Sequence, residues 1–133
     1  MSVALTGISS MATRQVLAEL TPALTVATGH SLAIESVGGV DAARRVRQGE
    51  SFDVVVLASA AIDKLIADGC VLADSKTALA ISGVAVAVTS GQPAPDISSR
   101  EALRQALVDA PGIGYSTGPS GTALLALIKD WGL

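Results

Sequence analysis

The sequence predicts an α/β fold with a mainly parallel sheet and helices on both faces of that sheet. Short β-branched runs alternate along the chain with longer segments whose apolar residues recur at helical spacing. The run Val54-Val55-Val56 is apolar at every position, which is typical of a strand buried on both faces of a parallel sheet. Since strand and helix candidates alternate, right-handed βαβ crossovers are expected.

The first two elements are predicted from residues 3–29. Residues 3–6 form a short apolar strand, and residues 7–10 are expected to break it and form a loop. Helical spacing then runs over residues 11–28, with an interruption at Pro22, where Thr21-Pro22 could begin a second short helix. Gly29 is predicted to end this segment as a C-cap glycine.

Two further strand–helix pairs follow. Strands are predicted over residues 31–36 and 53–57. Helices are predicted over residues 41–48 and 59–68, the second closed by Gly69. The helix over residues 41–48 is expected to bury Ala42, Ala43 and Val46 and to expose its arginines to solvent.

The last third of the chain is predicted to hold another two strands and two helices. Strands are expected over residues 79–89 and 113–115, and helices over residues 98–109 and 119–131. A capping box, Ser98-Ser99-Arg100-Glu101, begins the first of these helices. Residues 90–95 are rich in turn-forming residues and are predicted to be a linker. We therefore expect a first α/β lobe over residues 1–89 and a partial second lobe over residues 90–133.

Composition excludes several classes of protein. The net charge of −3 and the sequence pI near 4.9 argue against the basic face that nucleic-acid binding requires. The single cysteine, Cys70, permits no intramolecular disulfide, and its expected role is that of a small apolar filler. No cluster of residues has zinc spacing and no dinucleotide fingerprint is present, so neither a metal nor a cofactor is expected.

The amino terminus and the hydropathy pattern bear on localisation. Residues 1–5 have no basic segment followed by a long apolar stretch, as a signal peptide would have. The longest apolar run, residues 84–88, is far shorter than the ~20 residues of a membrane-spanning helix. The chain as written is expected to be cytoplasmic, or periplasmic if it is a mature form.

Three predicted loops are built from glycine, serine and other small residues, and each precedes a helix. They cover residues 7–11, 36–41 and 115–122. Free amide groups at a helix N-terminus attract negative charge, and small side chains let an anion approach the backbone. Ordinary helix capping would explain any one loop alone, whereas three at the carboxyl edge of a parallel sheet favour an anion site.

These loops supply the candidate ligand-binding residues, and no catalytic base can be named among them. The candidates on the loops are Ser9, Ser10, Gly38, Gly39, Ser116, Thr117 and Ser120. Two arginines, each placed about one turn into a helix, complete the set because a guanidinium pairs well with carboxylate: Arg14 and Arg44. A solvated helix face is the alternative interpretation of Arg44 and its neighbours.

Four stretches together resemble the molybdate-binding branch of the bacterial solute-binding proteins. They are residues 5–11, 35–44, 52–59 and 114–121, so the resemblance extends along nearly the whole chain. It implies a type II periplasmic-binding fold, in which two α/β lobes are joined by crossing strands and the ligand lies in the cleft between them.

The resemblance also implies how a ligand is held. In this family, serine hydroxyls and backbone amides bind an oxyanion without a metal, and the matching positions are Ser10, Gly39 and Ser120. Gly39 departs from the family pattern because it replaces a serine and leaves only an amide. Other ligand residues of the family lie downstream of Leu133 and have no counterpart here.

The expected partner is a small anionic ligand, either a molybdate-like oxyanion or a carboxylate. The resemblance implies an ABC permease as a further partner if the protein is exported. Relatives of this branch include isomerases similar to aconitate isomerase, so an isomerase acting on a polycarboxylate is the alternative function. Family members are longer than this chain, and a fragment, a natural truncation or a homo-oligomer covering the incomplete lobe would each account for the difference.

Overall fold

A computed structural model describes all 133 residues and divides them into two compact units, residues 1–79 and residues 80–133. The first unit contains three strands and three α-helices, and the second contains two α-helices. The boundary at residue 89, expected from the sequence for the two lobes, stays a prediction. No helix combines the length and the apolar character needed to span a membrane.

The first unit is a three-stranded parallel sheet with the strand order β2-β1-β3. The strands are β1 (Ala4–Ser10), β2 (Ser31–Val37) and β3 (Val54–Val56). The helices are α1 (Arg14–Thr28), α2 (Gly39–Arg47) and α3 (Ser59–Ala67). Short 3-10 turns lie at Met11–Thr13 and Ala73–Ser75.

The sequence-based interpretation of residues 7–10 as a loop is wrong, because β1 continues through them. Gly7 pairs with Ile34 on one side and with Val54 on the other. A Cβ at Gly7 would lie 3.2 Å from the carbonyl oxygen of Val54, so glycine permits the close approach of the two strands. This glycine therefore marks the centre of a strand, and Ser9 and Ser10 lie at its carboxyl end.

Helix α1 is continuous through Pro22, where an interruption was expected. A proline removes one helical hydrogen bond, and Pro22 is exposed, so water can reach the carbonyl group that loses its partner. Gly29 has a φ of +73° and donates its amide to the Thr25 carbonyl at 2.9 Å, which confirms the predicted C-cap.

The helices cover both faces of the sheet, as predicted. Ile8 of β1 is fully buried against α2 and α3, in a cluster with Ala42, Val46 and Leu65. Side chains alternate between the faces of a strand, so the neighbouring Ser9 points to the opposite face, where α1 packs on β2. The prediction that β3 is buried on both faces is wrong, because β3 is an edge strand and its valines are half-buried.

The second unit contains α4 (Arg100–Asp109) and α5 (Pro119–Asp130). The Nη2 atom of Arg100 lies 2.8 Å from an Asp130 carboxylate oxygen, and its guanidinium stacks 5.2 Å from the Trp131 ring centre. The cap of α4 is Ser99 and not Ser98, because the Ser99 hydroxyl accepts the Ala102 amide at 3.0 Å.

The two strands expected in the second unit do not form. Residues 84–88 and residues 113–115 have the composition of strands, but no second strand lies beside either of them. A strand needs a neighbour to bind its amide and carbonyl groups, so β-propensity alone does not produce one. Val84, Val86 and Val88 consequently have exposed side chains.

Candidate functional site

The carboxyl ends of β1, β2 and β3 meet at one edge of the sheet because the strands are parallel. A helical segment begins directly after each of them, with Ser10, Gly38 and Ala58 at the three N-cap positions. No side chain caps any of these three helix starts. Their first amide groups are therefore left to water or to a ligand.

Two serine side chains on neighbouring strands are brought together at this edge. Ser9 is fully buried, and its hydroxyl oxygen lies 2.7 Å from that of Ser36. Ser36 is a functional candidate that the sequence analysis missed. Its position opposite Ser9 in the parallel register of β1 and β2 is the signal that would have identified it.

The first and second predicted loops meet at Ser10 and Gly39. A Cβ built on Gly39 would lie 3.6 Å from the Cβ of Ser10, an ordinary van der Waals distance. Gly38 precedes α2, and its carbonyl oxygen accepts the first hydrogen bond of that helix from Ala42 at 2.9 Å. The hydroxyl of Ser10 and the first amides of α2 thus border the same small area.

The two candidate arginines differ in their surroundings. The Nη2 atom of Arg44 lies 2.9 Å from the Asp41 carboxylate, and its Nη1 atom donates to Gln48 at 3.2 Å. These contacts lie along α2 itself, in agreement with the alternative of a solvated helix face. Arg14 makes no ion pair and lines a cleft beside Ser36.

In the second unit, Ser116 and Ser120 are also brought together. Their hydroxyl oxygens lie 2.8 Å apart at the start of α5, while Thr117 is exposed. The N-cap of α5 is Gly118, which provides no side-chain cap. A Cβ at Gly121 would overlap the Ser116 carbonyl group, so this turn depends on glycine. The convergence of this loop with the first two stays a prediction.

A charged cluster fixes α2 beside β2. Arg45 donates to Glu50 at 2.7 Å and to Glu35 at 3.0 Å, and its guanidinium lies 5.5 Å from the centre of the Phe52 ring. These hydrogen bonds hold the pKa of both glutamates below the ordinary value and raise the pKa of Arg45. The cluster ties the last turn of α2 to β2.

The arrangement in the first unit can bind negative charge through neutral donors. It offers amide groups from three helix starts, the hydroxyl of Ser10 and the hydroxyl pair of Ser9 and Ser36. No group of three or more His, Cys, Asp and Glu side chains is close enough to hold a metal ion. The side chains and helix starts at this edge thus offer mainly hydrogen-bond donors.

Comparison with known proteins agrees with this geometry. Residues 5–133 match the model of a family described as bacterial extracellular solute-binding protein. The chain is similar to an aconitate isomerase from Pseudomonas sp., with 38% identity over 129 residues, which is 93% of this chain and 49% of that protein. It thus spans about half the length of this curated relative. No solved structure matches it.

Family membership accounts for the α/β fold and for a site that binds a small molecule. The match begins within β1 and extends to the last residue, so it includes both units and every candidate residue. The chain belongs to the family of bacterial extracellular solute-binding proteins.

Proposed function

We propose that this protein binds a small carboxylate at the carboxyl edge of the β2-β1-β3 sheet. The observation that carries the proposal is that three helix starts without side-chain caps follow the three strands at one edge. A carboxylate has two acceptor oxygens and no donors, so it suits a set of amide and hydroxyl groups. The similarity to an aconitate isomerase supports a carboxylate as the ligand.

Within this site, Ser10 and the amides of Gly38 and Gly39 bind one carboxylate directly. Ser9 is buried, and its hydroxyl is engaged with Ser36, so this pair fixes the orientation of the Ser36 hydroxyl. Ser116, Thr117 and Ser120 are proposed to contact the ligand from the second lobe, as the family resemblance implies. Arg14 lines the cleft beside this edge and is available to other parts of the ligand, whereas Arg44 is already paired with Asp41.

A compact oxyanion such as molybdate is the alternative ligand that the resemblance to molybdate-binding proteins implies. A thermal-shift screen with molybdate, sulfate, citrate, cis-aconitate and trans-aconitate separates the two ligand classes. A ligand present at 100 times its dissociation constant adds about 2.7 kcal/mol to the free energy of unfolding, which a melting curve resolves. Stabilisation by the carboxylates alone supports the proposal, and stabilisation by molybdate alone refutes it.

Variants of the serines test where the ligand binds. Ser10→Ala should weaken carboxylate binding by about 1 kcal/mol or more, the scale of a hydrogen bond to a charged group. Ser51→Ala is the matched control, because Ser51 is exposed and lies before β3, at the opposite end of the strands. Equal affinity of the wild type and Ser10→Ala would show that the site lies elsewhere.

An isomerase is the second candidate function, and the similarity to an aconitate isomerase favours it. Interconversion of cis- and trans-aconitate requires transient loss of the double bond, for example by removal of an allylic proton and its return. Incubation of either isomer in deuterated water, followed by proton NMR, tests for this activity. Deuterium incorporation together with the second isomer supports catalysis, whereas an unchanged substrate supports binding alone.

As a binding protein, the molecule would deliver its ligand to an ABC permease if it is exported to the periplasm. This partner is part of the proposal and follows from the solute-binding family alone. Co-purification with the subunits of an ABC permease is the corresponding test.

A further inference from the structure

A cleft of about 510 Å³ lies beside the contact between α1 and β2 in the first unit. Arg14, Leu17 and Ala18 line it from the helix, and Ile34 and Ser36 line it from the strand. Ser36 is the penultimate residue of β2, and Arg14 is the first residue of α1. The cleft therefore begins at the carboxyl edge of the sheet and follows α1 away from it.

The size of this cleft exceeds what a compact anion needs. Small-molecule pockets occupy about 300–1,000 Å³, whereas a tetrahedral oxyanion has the volume of only a few waters of about 30 Å³ each. Leu17, Ala18 and Ile34 offer apolar surface to a hydrocarbon chain. The cleft thus matches a ligand that carries carbon atoms as well as charge.

Arg14 is unusual among the arginines of the first unit. Arg44, Arg45 and Arg47 each pair with a carboxylate at 2.9 Å or less. The guanidinium of Arg14 has neither an ion pair nor a hydrogen bond, although the residue lines the cleft. A guanidinium without a carboxylate partner, near the apolar side chains of Leu17 and Ile34, is suited to bind a carboxylate of a ligand in the bidentate manner.

We infer that the cleft between α1 and β2 is a subsite for the hydrocarbon chain and a second carboxylate of the ligand, with Arg14 pairing that second carboxylate. This inference rests on the proposed function, in which the first carboxylate binds at the sheet edge beside Ser10. The subsite selects polycarboxylates over monocarboxylates and over compact oxyanions.

Calorimetric titration of the full chain with two probes tests the subsite. Propane-1,2,3-tricarboxylate carries additional carboxylates, whereas crotonate carries only one. Arg14→Gln should weaken the binding of the tricarboxylate on the order of tenfold and leave the binding of crotonate unchanged. Arg14→Lys keeps the positive charge, so its affinity for the tricarboxylate should fall by a smaller factor. Arg104→Gln removes the same charge from an exposed position of α4 and should change neither affinity.

Three outcomes separate the subsite from the proposed function. Unchanged tricarboxylate affinity in Arg14→Gln, or an equal loss for both probes, overturns the subsite and leaves the sheet-edge site in place. If the wild type binds neither probe, both the subsite and the proposed function are wrong. Arg14 is exposed at the start of α1, so the variant should melt like the wild type without ligand, and this measurement confirms that it is folded.

Discussion

Thr6 and Asp53 exchange hydrogen bonds in both directions at the point where β3 joins the sheet. The amide of Thr6 donates to the Asp53 carboxylate at 2.8 Å, and the amide of Asp53 donates to the Thr6 carbonyl at 2.9 Å. The hydroxyl of Thr6 adds a bond to the same carboxylate oxygen. The aspartate therefore sets the register of β3 on β1, and with it the position of the helix start that follows β3.

Asp53→Ala should lower the free energy of unfolding by about 1 kcal/mol, the usual contribution of such a hydrogen bond near the surface. Asp53→Asn keeps one side-chain acceptor, so its free energy of unfolding should fall by a smaller amount. Asp74→Ala is the control, because Asp74 is also exposed and lies in a short 3-10 turn away from the sheet. Urea unfolding of the three variants measures the differences, and equal midpoints would contradict this role of Asp53.

Gly7→Ala should destabilise the first unit by about 1–3 kcal/mol, as expected when an atom is forced into a packed region. The new Cβ would lie 3.1 Å from Ile34 Cγ1 and 3.2 Å from the Val54 carbonyl oxygen. Gly83→Ala is the matched control, because nothing lies within 4 Å of a Cβ at that position. Thermal unfolding distinguishes the two, and similar melting temperatures would argue against the close packing of β1 and β3.

The cluster of Arg45 with Glu35 and Glu50 predicts that stability falls at acid pH. Because the folded protein lowers the pKa of both glutamates, it binds fewer protons than the unfolded chain. Their contribution is present above the unfolded pKa near 4.5 and is lost as the pH falls through the folded values. The double variant Glu35→Gln with Glu50→Gln should therefore show a weaker loss of stability than the wild type as the pH falls below 5 in denaturant titrations.

The raised pKa of Arg45 would affect stability only at strongly alkaline pH. Its contribution is fully present below the ordinary pKa of an arginine side chain, so Arg45 stays charged throughout these titrations. A wild-type protein whose stability is constant from pH 7 to pH 3 would contradict the role of the glutamates.

Gly121→Ala should disrupt the turn that brings Ser116 and Ser120 together, because the added Cβ would overlap the Ser116 carbonyl group. The expected result is lower stability of the second unit, and weaker ligand binding if this turn contacts the ligand. Gly114→Ala provides the control, since a Cβ there meets nothing within 4 Å. Melting curves and ligand titrations of the two variants measure these effects separately.

The exposed valines of residues 84–88 predict self-association. Val84, Val86 and Val88 are 66%, 50% and 45% exposed, and unpaired β-prone segments of this kind invite pairing with another chain. Light scattering at micromolar concentration should show a dimer or larger species, and Val86→Lys should shift the protein towards the monomer. A wild-type protein that is monomeric at this concentration would exclude the homo-oligomer.

Local patterns in the sequence were sufficient to predict all five α-helices, strands β2 and β3, and the first part of β1. The apolar spacing at Ala42, Ala43 and Val46 placed the inward face of α2 correctly, because that face is set by helical periodicity alone. Gly29 and Gly69 marked helix ends because each adopts a positive φ that other residues disfavour.

The errors arose where the outcome depends on distant partners. Residues 7–10 look like a loop until strands on both sides supply hydrogen bonds, and residues 84–88 look like a strand although no neighbour supplies any. Ser36 escaped notice as a candidate for the same reason, since only the pairing of β1 with β2 places it beside Ser9. For Arg44, the decisive contact was the local ion pair with Asp41, which sequence spacing allows but does not establish.

The central position of β1 has a consequence for biosynthesis. This strand leaves the ribosome before its two neighbours, which follow 27 and 47 residues later, as the pairs Ser9–Ser36 and Thr6–Asp53 illustrate. Translation at about 5–20 residues per second separates these events by seconds. During synthesis the central strand β1 therefore has both edges unpaired until β2 and then β3 have been made.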